Sequence, residues 1–151
     1  FDFVLLDCPA GIEGGFKNAA AGADEALVVT TPEVPSVRDA DRIIGMLESM
    51  GKSPIRLIIN RFRANMVQDG DMLAREDILD ILSINLIGIV PEDDGVIKSS
   101  NRGEPLTFGL NSQAYANIAE RLQGRDIPLM ELDVGASWRF LAPIKRFFGL
   151  S

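Results

Sequence analysis

The sequence predicts an α/β domain: a mostly parallel sheet with helices on both faces, three layers in all, followed by a C-terminal amphipathic tail. Three observations predict it. Short apolar runs rich in Val, Ile and Leu alternate with longer stretches whose apolar residues recur every three or four positions. The runs are too evenly apolar for half-solvated strands, so both faces of the sheet need a cover. Residues 137–151 then break the pattern with aromatic and basic residues and no acid.

The elements follow in order. Phe3–Leu6 reads as a first strand ending at Asp7, with Cys8-Pro9-Ala10-Gly11 as a turn and Cys8 as a small buried residue. Gly15–Gly22 is Ala-rich and helical. Ala26–Thr30 is a second strand, broken by Thr31-Pro32-Glu33. Ser36 is a good N-cap, with Asp39 three residues on, and Val37, Ala40, Ile44 and Leu47 form one apolar stripe. Gly51 stops that helix. Ile55–Ile59 is a third strand ending at Asn60-Arg61, and Phe62–Gly70 reads as loop. Arg75–Ser83 is a second amphipathic helix. Leu86–Val90 is a fourth strand, stopped by Pro91. Val96–Asn101 and Asn111–Gln123 are further helices, the latter with Ala114, Ile118 and Leu122 on one face, and Asp126–Gly135 reads as linker.

Composition removes several functions. The 151 residues contain no His, so a Ser-His-Asp triad is excluded. A single Cys excludes an internal disulfide and makes a thiolate zinc site implausible. The apolar runs fall far short of the roughly 20 residues that span a bilayer. A net charge of −7 argues against a broad nucleic-acid surface. The charge is also uneven: residues 137–151 carry +3 and residues 1–136 carry −10. An apolar run at the first residue, with no initiator Met, makes the chain read as the C-terminal portion of a longer protein.

In parallel α/β sheets, ligands sit outside the carboxyl ends of the strands, so the residues just past each strand are the candidates. Asp7 either caps the following turn or holds the water shell of a nucleotide-bound Mg²⁺. Gly11 leaves room for a phosphate to approach the backbone. Asn60 is either a turn residue or, with one donor and one acceptor, a partner for an adenine edge. Pro91-Glu92-Asp93-Asp94 either walls a base pocket or supplies a helix cap at Asp94. Glu33–Arg42 is a dense mix of charges on a helix beside these loops.

The tail has its own logic. If residues 140–148 are helical, Phe147, Phe140, Ile144, Phe148 and Leu141 fall within an arc of about 120°. Arg139 and Arg146 lie on one flank, and Lys145 lies on the other beside Trp138. That layout suits a helix lying in a membrane interface, or one docked on its own domain. Five such apolar groups contribute about 1.5–3 kcal/mol each when fully buried.

Together these residues resemble the C-terminal part of the MinD family of septum site-determining ATPases. That family is one of the deviant-Walker-A ATPases, which include plasmid-partition proteins and nitrogenase iron protein. The resemblance is carried by Val4-Leu5-Leu6-Asp7-Cys8-Pro9-Ala10-Gly11-Ile12-Glu13, by Thr30-Thr31-Pro32-Glu33 and by Ser36-Val37-Arg38-Asp39-Ala40-Asp41-Arg42. Further matches are Asn60-Arg61, Gly70-Asp71-Met72, Gly88-Ile89-Val90-Pro91-Glu92-Asp93 and Asn101-Arg102-Gly103-Glu104-Pro105. It runs from about residue 1 to 106 and returns at the extreme C-terminus, with Thr107–Val134 less distinctive.

The resemblance implies a P-loop NTPase-type sheet, here incomplete, and a reaction of ATP hydrolysis gated by a nucleotide-sandwich homodimer. Residues 1–125 would be the ATPase portion, 126–136 a linker and 137–151 a membrane-targeting tail. Asp7 would be the catalytic switch acid that meets Mg²⁺ through water, and Gly11 would lie near the γ-phosphate. Asn60, Pro91, Glu92 and Asp93 would line the adenine of ATP. Glu33, Ser36, Asp39 and Asp41 would lie where the family binds MinC and MinE. Trp138, Phe140, Leu141, Ile144, Lys145, Arg146, Phe147 and Phe148 would meet an anionic membrane. No nucleic acid is expected as a partner. The implied location is cytoplasmic or plastid-stromal, peripheral on the inner face of the membrane. The sequence departs from the family in one respect: its Gly-Lys-Gly-Gly-x-Gly-Lys-Thr-Thr phosphate loop does not occur in these residues. Phosphoryl transfer depends on that cradle, so the parent is expected to be the ATPase and these 151 residues alone inactive. The alternatives are a partition-type ATPase acting on DNA and a non-catalytic module that only binds partners.

Overall fold

The computed structural model describes residues 1–8, 14–105, 109–130 and 132. Its elements, in order, are α1 (Gly14–Gly22), β1 (Ala26–Thr30), α2 (Val34–Ser49), β2 (Ile55–Phe62), α3 (Ala64–Asp69), α4 (Arg75–Leu82), β3 (Asn85–Pro91), α5 (Asp94–Arg102) and α6 (Leu110–Leu122). The three strands form one sheet in the order β1-β2-β3, with both pairs parallel. All three therefore end on the same edge, which places Thr30, Phe62 and Pro91 together.

Two cores sandwich the sheet. On one face, Val28, Leu57, Ile59, Leu86 and Ile89 pack under Phe16 and Ala20 of α1, the stripe Val37, Ala40, Ile44 and Leu47 of α2, and Ile78 and Leu82 of α4. On the other, Ile87 and Val90 meet Ala114 and Ile118 of α6. Helices thus cover both faces, as the apolar strands require. Two irregularities shape the ladder. Between Leu57 and Ile58 the register slips, so that Ile58 pairs with Gly88 and Ile87 is the extra residue. A Cβ at Gly88 would overlap Cγ1 and Cδ1 of Ile118, so glycine lets α6 sit close on the strand. A second slip lies between Ile59 and Phe62, where Arg61 takes φ 57°.

Several expectations are corrected. Phe3–Leu6 is not a strand: residues 1–8 have no regular structure, and Phe3, Val4, Leu5 and Leu6 are exposed. A strand needs a ladder partner and a covered face, and this segment has neither among the described residues. Cys8 is accordingly exposed rather than buried. Helix α2 starts at Val34, with Glu33 as N-cap in extended backbone and a proline in the first turn. Ser36 lies inside that turn, because Pro35 presets helical φ and removes an N–H the first turn leaves unpaired anyway. At the far end Gly51 is left-handed at φ 73°, and its N–H donates to Glu48 O at 2.9 Å. The stretch expected as loop contains α3, too short for its periodicity to show in sequence. Asp93, not Asp94, caps α5: its Oδ1 accepts from Gly95 N at 2.7 Å.

Residues 125–130 are irregular but held. Arg121 donates from Nε to Ile127 O at 2.8 Å, from Nη1 to Ile87 O at 2.6 Å and from Nη2 to Pro128 O. Leu129 and Leu132 pack on the first core and Met130 on the second.

Candidate functional site

The carboxyl edge of the sheet gathers three corners. After β1, Thr31 Oγ1 lies 2.9 Å from Glu33 Oε2 and 2.8 Å from Ser36 Oγ, which ties the strand exit to the start of α2. β2 ends through Asn60, Arg61 and Phe62, and Arg63 leads into α3. After β3, Pro91, Glu92 and Asp93 lead into α5. The last two corners lie side by side and border an open cleft of about 560 Å³, lined by Phe62, Arg63, Pro91, Glu92, Leu110 and Leu132 among others.

Glu92 joins the corners. Its Oε1 accepts from Arg61 Nε at 3.1 Å and Nη2 at 2.9 Å, and its Oε2 accepts from Arg63 Nε at 3.1 Å. The Glu92 side chain keeps 18% of its surface exposed, against 61% and 48% for the two arginines. The hydrogen bond from Arg61 is the main reason the Glu92 carboxyl titrates below its ordinary range, with burial opposing and both arginine charges adding. The Arg61 guanidinium is raised in turn, mainly by Glu92, with Glu33 contributing at longer range. Arg61 therefore feels acids from the other two strand exits.

The predicted residues that fall within the described part of the chain do not all meet at one point. Pro91, Glu92 and Asp93 come together on the cleft. Asp93 spends one carboxylate oxygen on the α5 cap, and Asn60 is not among the lining residues. Asn60 Oδ1 instead accepts from Arg61 N at 3.0 Å, which supports the unusual backbone of Arg61. Glu33 and Ser36 sit at the head of α2, while Asp39 and Asp41 are exposed on the two shoulders flanking buried Ala40. Asp7 is exposed in the irregular segment rather than at a strand end. Gly11 lies outside the described residues, as do Trp138, Phe140, Leu141, Ile144, Lys145, Arg146, Phe147 and Phe148.

Sequence reasoning gave Arg63, Leu110 and Leu132 no role in this site. Arg63 lacked a signal because its stretch reads as loop. Leu110 and Leu132 arrive from distant parts of the chain, and no local pattern marks them. Arg61 was visible beside Asn60, but its bond to Glu92 spans 31 residues.

The cleft can take a flat, partly apolar group. Phe62, Pro91, Leu110 and Leu132 offer apolar contact, and Arg63, Glu92 and Asp93 a polar rim, which suits a nucleobase. Among the described residues no cluster of three His, Cys, Asp or Glu could hold a metal ion. Among the described residues, no helix is long and apolar enough to cross a membrane.

Comparison with known proteins identifies the family and the fold. Residues 6–106 match the family model described as the CobQ/CobB/MinD/ParA nucleotide binding domain. The septum site-determining protein MinD of Bacillus subtilis is 50% identical over 154 residues, covering 99% of this chain and 57% of the relative. A chain from the MinC:MinD cell division protein complex of Aquifex aeolicus superposes with TM-score 0.82 at 49% identity, covering 87% of this chain and 55% of that one. MinD of Pyrococcus horikoshii, solved with Mg-ADP, superposes with TM-score 0.69 at 27% identity, covering 80% and 50%. The chain thus spans a little over half the length of the Bacillus relative.

Proposed function

The chain belongs to the CobQ/CobB/MinD/ParA nucleotide-binding family, its relatives at about 50% identity are MinD proteins, and from that premise we propose that the full-length protein is a membrane-cycling ATPase that places the division septum. The observation that carries the reading is the cleft between the β2 and β3 exits, on the edge where parallel α/β sheets take their ligands. Its Mg²⁺-dependent nucleotide chemistry is supported by the Pyrococcus relative solved with Mg-ADP.

In this reading, Pro91, Glu92 and Asp93 hold the adenine of ATP, with Asn60 keeping the β2 corner in shape. Asp7 accepts hydrogen bonds from the water around Mg²⁺, and Gly11 stands near the γ-phosphate. Bound Mg²⁺ supplies charge neutralisation at the phosphates. The glycine-rich lysine loop is supplied by a part of the protein outside these residues, so this stretch alone does not turn over ATP. Two copies close on ATP as a homodimer. Glu33, Ser36, Asp39 and Asp41 of α2 receive MinC-type and MinE-type partners, a reading supported by the Aquifex relative solved with MinC.

Residues 126–136 connect the domain to the tail, and residues 137–151 attach it to the inner face of an anionic membrane. One tail binds weakly, and two tails in a dimer bind far better through effective concentration. A partition-type role on DNA fits less well, because residues 1–136 carry a net charge of −10. The test is liposome co-sedimentation of the full-length protein with ATP and with ADP. Stronger pelleting with ATP is expected, and equal pelleting in both states refutes the cycle.

A further inference from the structure

The chain after α6 touches both cores. Arg121, near the end of that helix, pins its start, donating from Nε to Ile127 O at 2.8 Å and from Nη2 to Pro128 O. Nη1 of the same guanidinium donates to Ile87 O at 2.6 Å, which joins the stretch to β3. Leu129 and Leu132 then pack on the core that α2 and α4 cover, and Met130 packs on the core that α6 covers. Those cores lie on opposite faces of the sheet, so the chain reaches both only by running around an edge. β3 is an edge strand of the described sheet, and Leu132 lines the cleft with Pro91 and Glu92 at its exit.

We propose that residues 127–132 form a strap along the β3 edge, with Arg121 as its positioning residue, and that the strap holds the membrane tail on a short tether. The inference rests on the reading of residues 137–151 as a membrane-binding tail and adds what sets its reach. With Leu132 as the last anchor, chain geometry limits the reach to Ser137 to about 18 Å. Arg125 is tied to α6 through Glu120, so it is the last anchor once the strap is released. The same limit then rises to about 43 Å. When one tail of a dimer is in the lipid, the second engages according to the volume it searches. Effective concentration falls roughly as the −3/2 power of tether length, so release lowers it about fourfold. A monomer has one tail, and its affinity does not contain this factor.

The experiment uses the full-length protein and vesicles of phosphatidylglycerol and phosphatidylcholine, with ATP and with ADP. Two variants lengthen the tether by independent routes. R121K/L129S/M130S frees the strap, and a Gly-Ser insert after Gly135, as long as residues 126–132, leaves it in place. Each is expected to weaken vesicle binding about fourfold with ATP and to leave binding with ADP unchanged. Thermal melting checks that each variant folds, and light scattering without lipid checks that the ATP-bound dimer forms. A folded triple variant that binds as wild type with ATP overturns the strap, as does an equal loss in both nucleotide states. The insert decides the matter even where the triple variant does not fold. Added to a tether that already starts at Arg125, it costs only about twofold, and that smaller loss overturns the strap. Wild-type protein that pellets equally in both states, or not at all, overturns the membrane reading itself.

Discussion

Arg61 and Glu92 lock the carboxyl ends of neighbouring parallel strands together, with Arg61 Nε and Nη2 both donating to Glu92 Oε1 at 3.1 and 2.9 Å. The bond sits just past the slip in the ladder, where it adds a side-chain tie to the backbone bond from Glu92 N to Phe62 O at 3.0 Å.

This bond sets an acid dependence. Glu92 titrates lower in the folded protein than in the unfolded chain, chiefly because of Arg61. Its stabilising effect is therefore fully present above the ordinary glutamate value of about 4.3 and is lost as pH falls through the lower folded value. E92Q should be modestly less stable than wild type near neutral pH, and the two should converge in strong acid. Urea midpoints measured across that range check this, and a gap that stays constant with pH contradicts it.

Gly88 and Ile118 give a packing prediction. Gly88→Ala forces its new methyl group into Ile118 and should cost about 1–3 kcal/mol, because packed interiors resist added volume. The added change Ile118→Ala opens that space, so the double variant should lose less than the sum of the singles. Urea denaturation of the three variants measures the coupling, and strict additivity would falsify the contact.

Arg121 fans across three carbonyls, those of Ile87, Ile127 and Pro128. Burial lowers its pKa, but a guanidinium stays charged throughout the working range. Arg121→Lys keeps the charge and loses the planar fork, so it should destabilise by about 1–3 kcal/mol. Limited proteolysis should then cut faster within residues 126–130. Unchanged cutting would show that the segment is held by its leucines alone.

The core and the surface of α2 should behave oppositely. Leu57 of β2 is fully buried in the core that this helix's apolar stripe joins, and Leu57→Ala should cost about 2–5 kcal/mol. Asp39→Asn and Asp41→Asn, on exposed shoulders, should change stability by less than about 0.5 kcal/mol. If the partner-binding reading holds, the same two changes should weaken capture of a MinC-type partner in a pull-down. Normal capture by the double variant would remove α2 from the proposed interface.

Local order was legible where one period persisted long enough. The Val37, Ala40, Ile44 and Leu47 stripe is buried as a unit, and three of the four expected strands form. The exception shows the limit of pattern: Phe3–Leu6 has the composition of a buried strand, yet composition supplies neither a ladder nor a cover. Short-range detail was also hidden. Ser36 and Asp94 are both good caps by type, but Glu33 and Asp93 take the cap positions, because proline at the start of α2 and the path out of β3 decide where each helix begins.

The sequence by itself determined the layered α/β class, the family and the strand exits worth searching, because periodicity and motif spacing are properties of neighbouring residues. Only the tertiary structure decided that Arg61, Arg63 and Glu92 converge, that Leu110 and Leu132 complete the same cleft, and that Asn60 turns to its own backbone. Those contacts join residues tens of positions apart, and their energies exist only once burial and strand pairing have brought the groups within hydrogen-bond or van der Waals range.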